Sequence, residues 1–438
     1  MSIRVTFNSH THQTETMGVP LKRTLTKLFR FAIVGVVLAI ALQTYLRQRQ
    51  EYFYSGNDIV KHIPTENRHE TFQEPEENSN ATLWQLMLQD PTITEFVKLN
   101  TPFGDINGPL DDPSQIWTLY VPIDSAYKDA LHPTDAPPFY WKFLSLNHFG
   151  SGAVSYDDML ASTTTTVESR IPHDIFFNYR QRISVKNQKG EIAFNHVGKY
   201  VGKQLKAVNG YVHHISTTLY LPDSTSEVIR DNPSFETFRR GLIFTNVGVK
   251  VNDTQRHTSQ TIFAPSNIAF KKLGLKANKF LFSPWGKPYL AALLRNHVVE
   301  NRTLFTDMYL QAKGAGKIGL NTTSEPIRLP TMNSGVDLET SIVLNENRQS
   351  IRLNDKTVAS DPDIITMDGV IHKIDELLLP PSLGDYLDGV GHGIDLDHRS
   401  SGSAWYNFRW PWNAPSSEIS VDELMERLQP LVEKGEVS

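Results

Sequence analysis

Thr261-Ile262-Phe263-Ala264-Pro265-Ser266-Asn267-Ile268-Ala269-Phe270 decides how the rest of the chain is read, because its pattern occurs twice. Thr118-Leu119-Tyr120-Val121-Pro122-Ile123-Asp124-Ser125-Ala126-Tyr127 carries it 143 residues earlier. Each copy reads as a short apolar strand stopped by proline, which has no N–H to offer a ladder. Ser266 in one copy and Asp124 in the other then fit the N-cap of a helix, whose buried face opens with Ala269-Phe270 or Ala126-Tyr127. Two further blocks repeat in the same order. Leu146-Asn147-His148 matches Arg295-Asn296-His297 at an offset of 149. Asn209-Gly210-Tyr211-Val212-His213-His214-Ile215 matches Asp368-Gly369-Val370-Ile371-His372-Lys373-Ile374 at an offset of 159, and the copies run on to Leu221-Pro222 and Leu379-Pro380-Pro381. Offsets that widen along the chain are what loop insertions in a duplicated domain produce.

The last block reads as a turn followed by an alternating strand, with Val370, His372 and Ile374 on one face and Ile371, Lys373 and Asp375 on the other. Taken together, Thr261–Phe270, Asn296-His297-Val298-Val299 and Asp368-Gly369-Val370-Ile371-His372 through Leu379-Pro380 resemble the ordered signature of a fasciclin domain. The second copy, 223–382, matches throughout. The first, 80–222, is more divergent, with Val-Pro-Ile-Asp in place of Ala-Pro-Ser-Asn and a loop holding Pro109, Asp111, Asp112 and Pro113 before its strand. The resemblance implies an α+β fold of two tandem domains, each a β-sandwich wedge with edge helices. It also implies an extracytoplasmic adhesion or binding role, commonly with glycosylation and membrane attachment.

His148, His213, His297 and His372 recur at matched positions. A duplicated fold keeps such histidines for packing when their ring nitrogens bond to nearby backbone, and we read all four as structural motif residues. Adjacent side chains on a strand face opposite ways, so His213 and His214 do not share one ion. His392-Gly393-Ile394-Asp395-Leu396-Asp397-His398 has ligand types for a divalent cation but the composition of a solvated loop. No catalytic residue, cofactor or metal is assigned. There is no G-x-S-x-G elbow, Walker loop, H-E-x-x-H or G-x-G-x-x-G. Asp111-Asp112 and Asp157-Asp158 are adjacent carboxylates without acid–base geometry. With no cysteine, disulfides, thiolate chemistry and cysteine-ligated zinc are excluded. A net charge of −5 without a basic face gives no reason to expect nucleic acid.

Phe31–Leu42 is a run of twelve residues without a polar side chain, extended through Leu46. Lys22, Arg23, Lys27 and Arg30 precede it, against Arg47 and Arg49 after it. This bias favours a cytoplasmic N-terminal segment (1–30), a signal anchor (31–46), a disordered stalk (47–79) and a translocated remainder. A cleaved signal peptide, suggested by Ala39 and Ala41, and a buried helix remain alternatives. N-x-[ST] sequons at Asn80, Asn252, Asn301 and Asn321 all fall beyond the run, whereas Asn232-Pro233-Ser234 is excluded by its proline. In the tail (383–438), Trp405, Tyr406, Phe408, Trp410 and Trp412 form an aromatic strip. Ser420–Glu423 fits a capping box, with Leu424, Met425, Leu428, Leu431 and Val432 on one side of a short helix that Pro430 limits. The expectation is a single-pass type II membrane glycoprotein of the vacuole, secretory pathway or cell surface, acting by adhesion on an unidentified protein or glycan. The runner-up is a lumenal carbohydrate-binding protein or enzyme, with a cleft lined by His297, His372 and a carboxylate.

Overall fold

The structure, a computed structural model, describes residues 80–127, 136–161, 166–172, 179–188, 190–195, 197–253, 259–307, 326–333, 335–345, 348–380 and 419–435. Helices α1 (Leu83–Gln89), α2 (Thr94–Asn100) and α3 (Gly104–Asp111) lead into β1 (Trp117–Pro122), α4 (Pro138–Leu146), β2 (Phe149–Ser151) and α5 (Tyr156–Ala161). Five strands follow: β3 (Thr166–Glu168), β4 (Arg182–Gln188), β5 (Glu191–Phe194), β6 (Gly198–Ala207) and β7 (Gly210–Ile215). The second half repeats the plan with α6 (Thr225–Asp231), α7 (Glu236–Thr245), α8 (Val247–Val251), β8 (Gln260–Pro265), α9 (Asn267–Lys272), α10 (Leu275–Leu281) and α11 (Lys287–Arg295). Its strands continue as β9 (Val298–Glu300), β10 (Ile327–Pro330), β11 (Asp337–Asn345), β12 (Arg348–Leu353), β13 (Thr357–Thr366) and β14 (Gly369–Ile374). Helix α12 (Val421–Gly435) comes last. All these elements belong to one compact unit, Phe72–Leu131 with Pro137–Ser438.

Each half forms one mixed seven-stranded sheet, β2-β1-β7-β6-β5-β4-β3 and, in the same sense, β9-β8-β14-β13-β12-β11-β10. The first and third repeat blocks lie side by side as parallel neighbours: Thr118 is opposite Tyr211, and Thr261 is opposite Val370. At that junction Gly210 and Gly369 pass so close to the neighbouring strand that a Cβ would overlap the carbonyl oxygens of Trp117 and Gln260. Each sheet curls on itself. Arg170 N–H donates to Phe149 O at 3.1 Å beside a Gly150–Ser169 bridge, and Met332 N–H donates to Val298 O at 2.7 Å. The α+β class stands, but each wedge is one continuous curled sheet rather than two sheets packed face to face.

Alternating residues of the central strands therefore enter two cores. In the second half, Ile262, Ala264 and Ile371 join Phe235, Phe238, Leu242, Leu290 and Leu294 under the helices. Phe263 and Ile374 join Leu304, Leu338, Ile342 and Ile351 inside the curl. The first half divides Leu119, Val121 and Val212 from Tyr120, Phe194 and Ile215 in the same way. Because β7 and β14 are central strands, both their faces are covered, and Ile371 is as buried as Val370 and His372. The turn residues are Val208-Asn209 and Met367-Asp368, with each glycine already in its strand.

Three local expectations change. Asp124 caps a different helix: Asp124–Tyr127 is one 3-10 turn, and the carboxylate accepts from Thr94 Oγ1 at 2.7 Å and Glu95 N at 2.9 Å, at the start of α2. Ser266 does cap α9, its Oγ facing the N–H groups of Ile268 and Ala269. The segment around Pro109 and Asp111 is helix α3 rather than a loop, because Ile106 and Leu110 are drawn into the core. Helix α12 runs through Pro430 to Gly435, since Leu424, Leu428 and Leu431 are buried against α10 and α11. Arg427 Nε donates to Pro380 O at 2.6 Å, and Tyr289 O–H to Gln429 Oε1 at 2.6 Å, so this helix docks on its own chain. One more block repeats, visible only once its capping bonds are seen. The Thr82/Gln85 and Ser224/Glu227 capping boxes and the Asp90-Pro91-Thr92 and Asn232-Pro233-Ser234 turns are related by an offset of 142. Residues 1–79, with the apolar run, and the aromatic strip lie outside the described residues. Among the described residues no helix is long and apolar enough to cross a membrane.

Candidate functional site

His148 and His297, just beyond α4 and α11, make identical bonds. Nδ1 donates to a carbonyl four residues back, Leu144 O or Leu293 O, at 2.8 Å. Nε2 accepts from the backbone N–H of Leu219 at 2.9 Å or Leu378 at 3.0 Å, which fixes the neutral tautomer protonated on Nδ1. The preceding asparagines reinforce the tie: Asn147 Nδ2 reaches Leu219 O at 3.0 Å and Asn296 Nδ2 reaches Leu378 O at 2.7 Å. Burial pulls the His297 pKa down to about 4. The second pair sits inside each curl. His372 Nε2 donates to Leu304 O at 2.8 Å and its Nδ1 accepts from Asp363 N at 3.2 Å, with the ring stacked on Phe263. His213 donates to Val154 O at 2.7 Å and stacks on Tyr120. Burial lowers both pKa values, that of His213 to about 4. These rings tie loops to strands. His297 and His372 lie in the interior, not on a cleft.

Among the described residues no group of three or more metal-ligating side chains comes together, and His392–His398 lies outside them. Sequon residues Asn80, Asn252 and Asn301 are exposed, while Asn321 lies outside the described residues. Asn252 Oδ1 accepts from Ser226 Oγ at 2.7 Å.

A set of buried bonds joins the two halves. The Arg182 guanidinium donates to Asp307 Oδ2 at 2.6 Å, pairs with Glu168 at 3.3 Å and lies over the Phe305 ring at 5.3 Å. Thr166 Oγ1 donates to Asp307 Oδ1 at 2.9 Å. Tyr179 O–H donates to Thr366 O at 2.6 Å, Gln181 Nε2 to Met367 O at 3.0 Å, and Lys186 Nζ to Asp361 Oδ1 at 2.6 Å. Burial raises the Asp307 pKa and outweighs the opposing pull of Arg182. Glu168 belongs to the same half as Arg182; no local motif announces the bonds that cross between the halves, because each of those joins residues more than a hundred positions apart.

The first domain also carries a charged cluster under a cleft of about 420 Å³ lined by Pro91, Ile123, Ser125, Val201, Lys203 and His214. Buried Asp90 accepts from His214 Nε2 at 2.8 Å and from Lys203 Nζ at 2.7 Å through Oδ2. Its Oδ1 accepts from Thr92 N at 2.9 Å and Thr92 Oγ1 at 2.7 Å. His214 Nδ1 faces Lys203 O at 3.1 Å. Burial alone would raise the Asp90 pKa, but the bonds from His214, Lys203 and Thr92 together hold it well below the usual carboxylate range. No local motif marks this cluster, because His214 lies 11 positions from Lys203 and 124 from Asp90.

Two paired curled sheets with motif histidines sewn into them define a tandem fasciclin-type protein. The fasciclin domain model matches residues 233–380. The aurofusarin biosynthesis cluster protein S of Gibberella zeae is 39% identical over 328 residues, 71% of this chain and 80% of that protein. The transforming growth factor-beta-induced protein ig-h3 of Sus scrofa is 28% identical over 40% of this chain and 22% of its own length. Fasciclin-1 of Schistocerca americana is 27% identical over 44% and 28%. A solved fasciclin domain pair from the insect cell adhesion molecule fasciclin I aligns with 66% of this chain and 98% of its own, at 19% identity and a TM-score of 0.35. The chain belongs to the fasciclin-domain family.

Proposed function

We propose that this chain is a membrane-anchored, N-glycosylated adhesion or binding protein, held by residues 31–46 with both domains on the lumenal or outer side. Fasciclin domains are associated with cell adhesion. The observation that carries the reading here is the buried clamp through Arg182, Tyr179 and Lys186, because it presents two domain surfaces as one body. Two weak contacts on one body gain avidity when both reach the same partner. The vacuole, secretory pathway and cell surface all fit the orientation given by the basic residues before the apolar run. The test has two arms. A glycosidase mobility shift on the full-length protein, with resistance to alkaline extraction, is expected for the topology; digestion of both domains by protease in intact vesicles would overturn it. Beads bearing the oriented protein are expected to cluster with one another or with cells of the source organism; failure to do either would remove the adhesion role.

A second reading, small-molecule binding, has the first-domain cleft in its favour and a relative whose name places it in a biosynthesis cluster.

A further inference from the structure

The duplication supplies an internal control. Residues needed by the fold recur in both copies, so a costly feature found in one copy alone calls for another explanation. The Asx turn of Asp90 is made equally well by Asn232, whose Oδ1 accepts from Ser234 N at 2.9 Å. A neutral amide therefore suffices for the turn, and the charge on Asp90 is surplus to it. By the offsets relating the copies, Pro362 and Lys373 stand where the first domain has Lys203 and His214. The first domain thus buries Asp90 and His214, with the half-exposed Lys203 beside them, where its twin folds without such a cluster, and burying a charged carboxylate is costly.

The cluster has a definite polarity. Both ring nitrogens of His214 face oxygen atoms, Lys203 O at 3.1 Å and Asp90 Oδ2 at 2.8 Å. Lys203 has three N–H donors and uses one on Asp90; its side chain remains 44% exposed. Asp124, the other carboxylate at the cleft, is directed to the N-terminus of α2. The exposed Ser125 adds a hydroxyl at the rim, and Pro91, Ile123 and Val201 supply apolar wall. A volume of about 420 Å³ falls within the range of small-molecule sites.

We propose that this cleft binds a small organic anion, its carboxylate held by Lys203 and Ser125 and its apolar body lying against Pro91, Ile123 and Val201. The inference rests on the small-molecule reading and is independent of adhesion. The test titrates benzoate and hexanoate, each beside its neutral amide, into full-length protein in detergent, followed by saturation-transfer NMR and calorimetry. Both acids are expected to bind in the micromolar to low-millimolar range, and the amides about tenfold or more weaker. Lys203→Met is expected to weaken the acids to the level of the amides. Val201→Trp, at an exposed position, blocks the cleft without touching the charge cluster and should abolish binding of both. Equal affinity for acid and amide, acid binding unchanged in both variants, or no acid binding at about 10 mM would each overturn the proposal. Bead clustering is read separately, so the adhesion reading and this one fail independently.

Discussion

His297 is held neutral by its surroundings, and that makes it a source of acid sensitivity. Its pKa falls from 6.5 to about 4 on burial, so between those values the unfolded chain binds the proton and the folded chain does not. Stability therefore declines as pH falls from 6.5 towards 4, by on the order of 3 kcal/mol from this residue. His297→Gln is expected to cost about 1–3 kcal/mol at pH 7 through the lost tie to Leu378, and to flatten the pH dependence over that window. Urea unfolding of both proteins at pH 7, 5.5 and 4 measures this; parallel pH profiles would sink it. Comparing variant with wild type isolates His297 from Asp307, whose raised pKa stabilises the fold as pH falls. Asp90, held low, contributes stability present above about pH 4 and lost below it. The recurrence of the histidines was legible in the sequence, but their partners were not. Leu144, Leu219, Leu293 and Leu378 contribute backbone groups, which any side chain would offer equally.

At the scale of elements, period and capping signals identify a helix but not what it packs against or which terminus a carboxylate serves. Asp124 stands after its strand just as Ser266 does, yet it serves α2. Helix α12 makes the same point. The spacing of Leu424, Leu428 and Leu431 was legible as an apolar stripe, whereas the continuation through Pro430 was decided by burial against α10 and α11. Proline removes one backbone bond and strains the preceding turn, at about 3 kcal/mol. Each fully buried leucine contributes about 1.5–3 kcal/mol in return, so the packed face wins. Leu428→Ala is expected to destabilise the second domain by about 2–5 kcal/mol. Deleting residues 419–438 should lower its melting temperature further and raise binding of an apolar dye as the α10–α11 face is uncovered. A truncated chain with unchanged melting and dye binding would show that the helix contributes no stability there.

At the scale of the molecule, the question is whether two copies of one fold behave as one body. The duplication was legible because its blocks recur in order. The clamp was not, because Arg182 and Asp307 belong to no shared block and lie 125 positions apart. Arg182 is 1% exposed and holds Asp307, Glu168 and the Phe305 face together, so removing it leaves Asp307 buried without its counter-charge. Breaking one side of a buried pair costs about 3–5 kcal/mol, whereas replacing both sides with apolar groups of similar volume is far milder. Calorimetry of the wild type is expected to show one unfolding transition for both domains. Arg182→Met should split it, with the first domain melting earlier, and Arg182→Met combined with Asp307→Leu should bring the two transitions back together. The pattern separates coupling from simple destabilisation, since a residue important only within its own domain would not be rescued by a change in the other. If Arg182→Met lowers a single transition and Asp307→Leu lowers it again, the clamp is a local contact, and the avidity argument built on one rigid body loses its support.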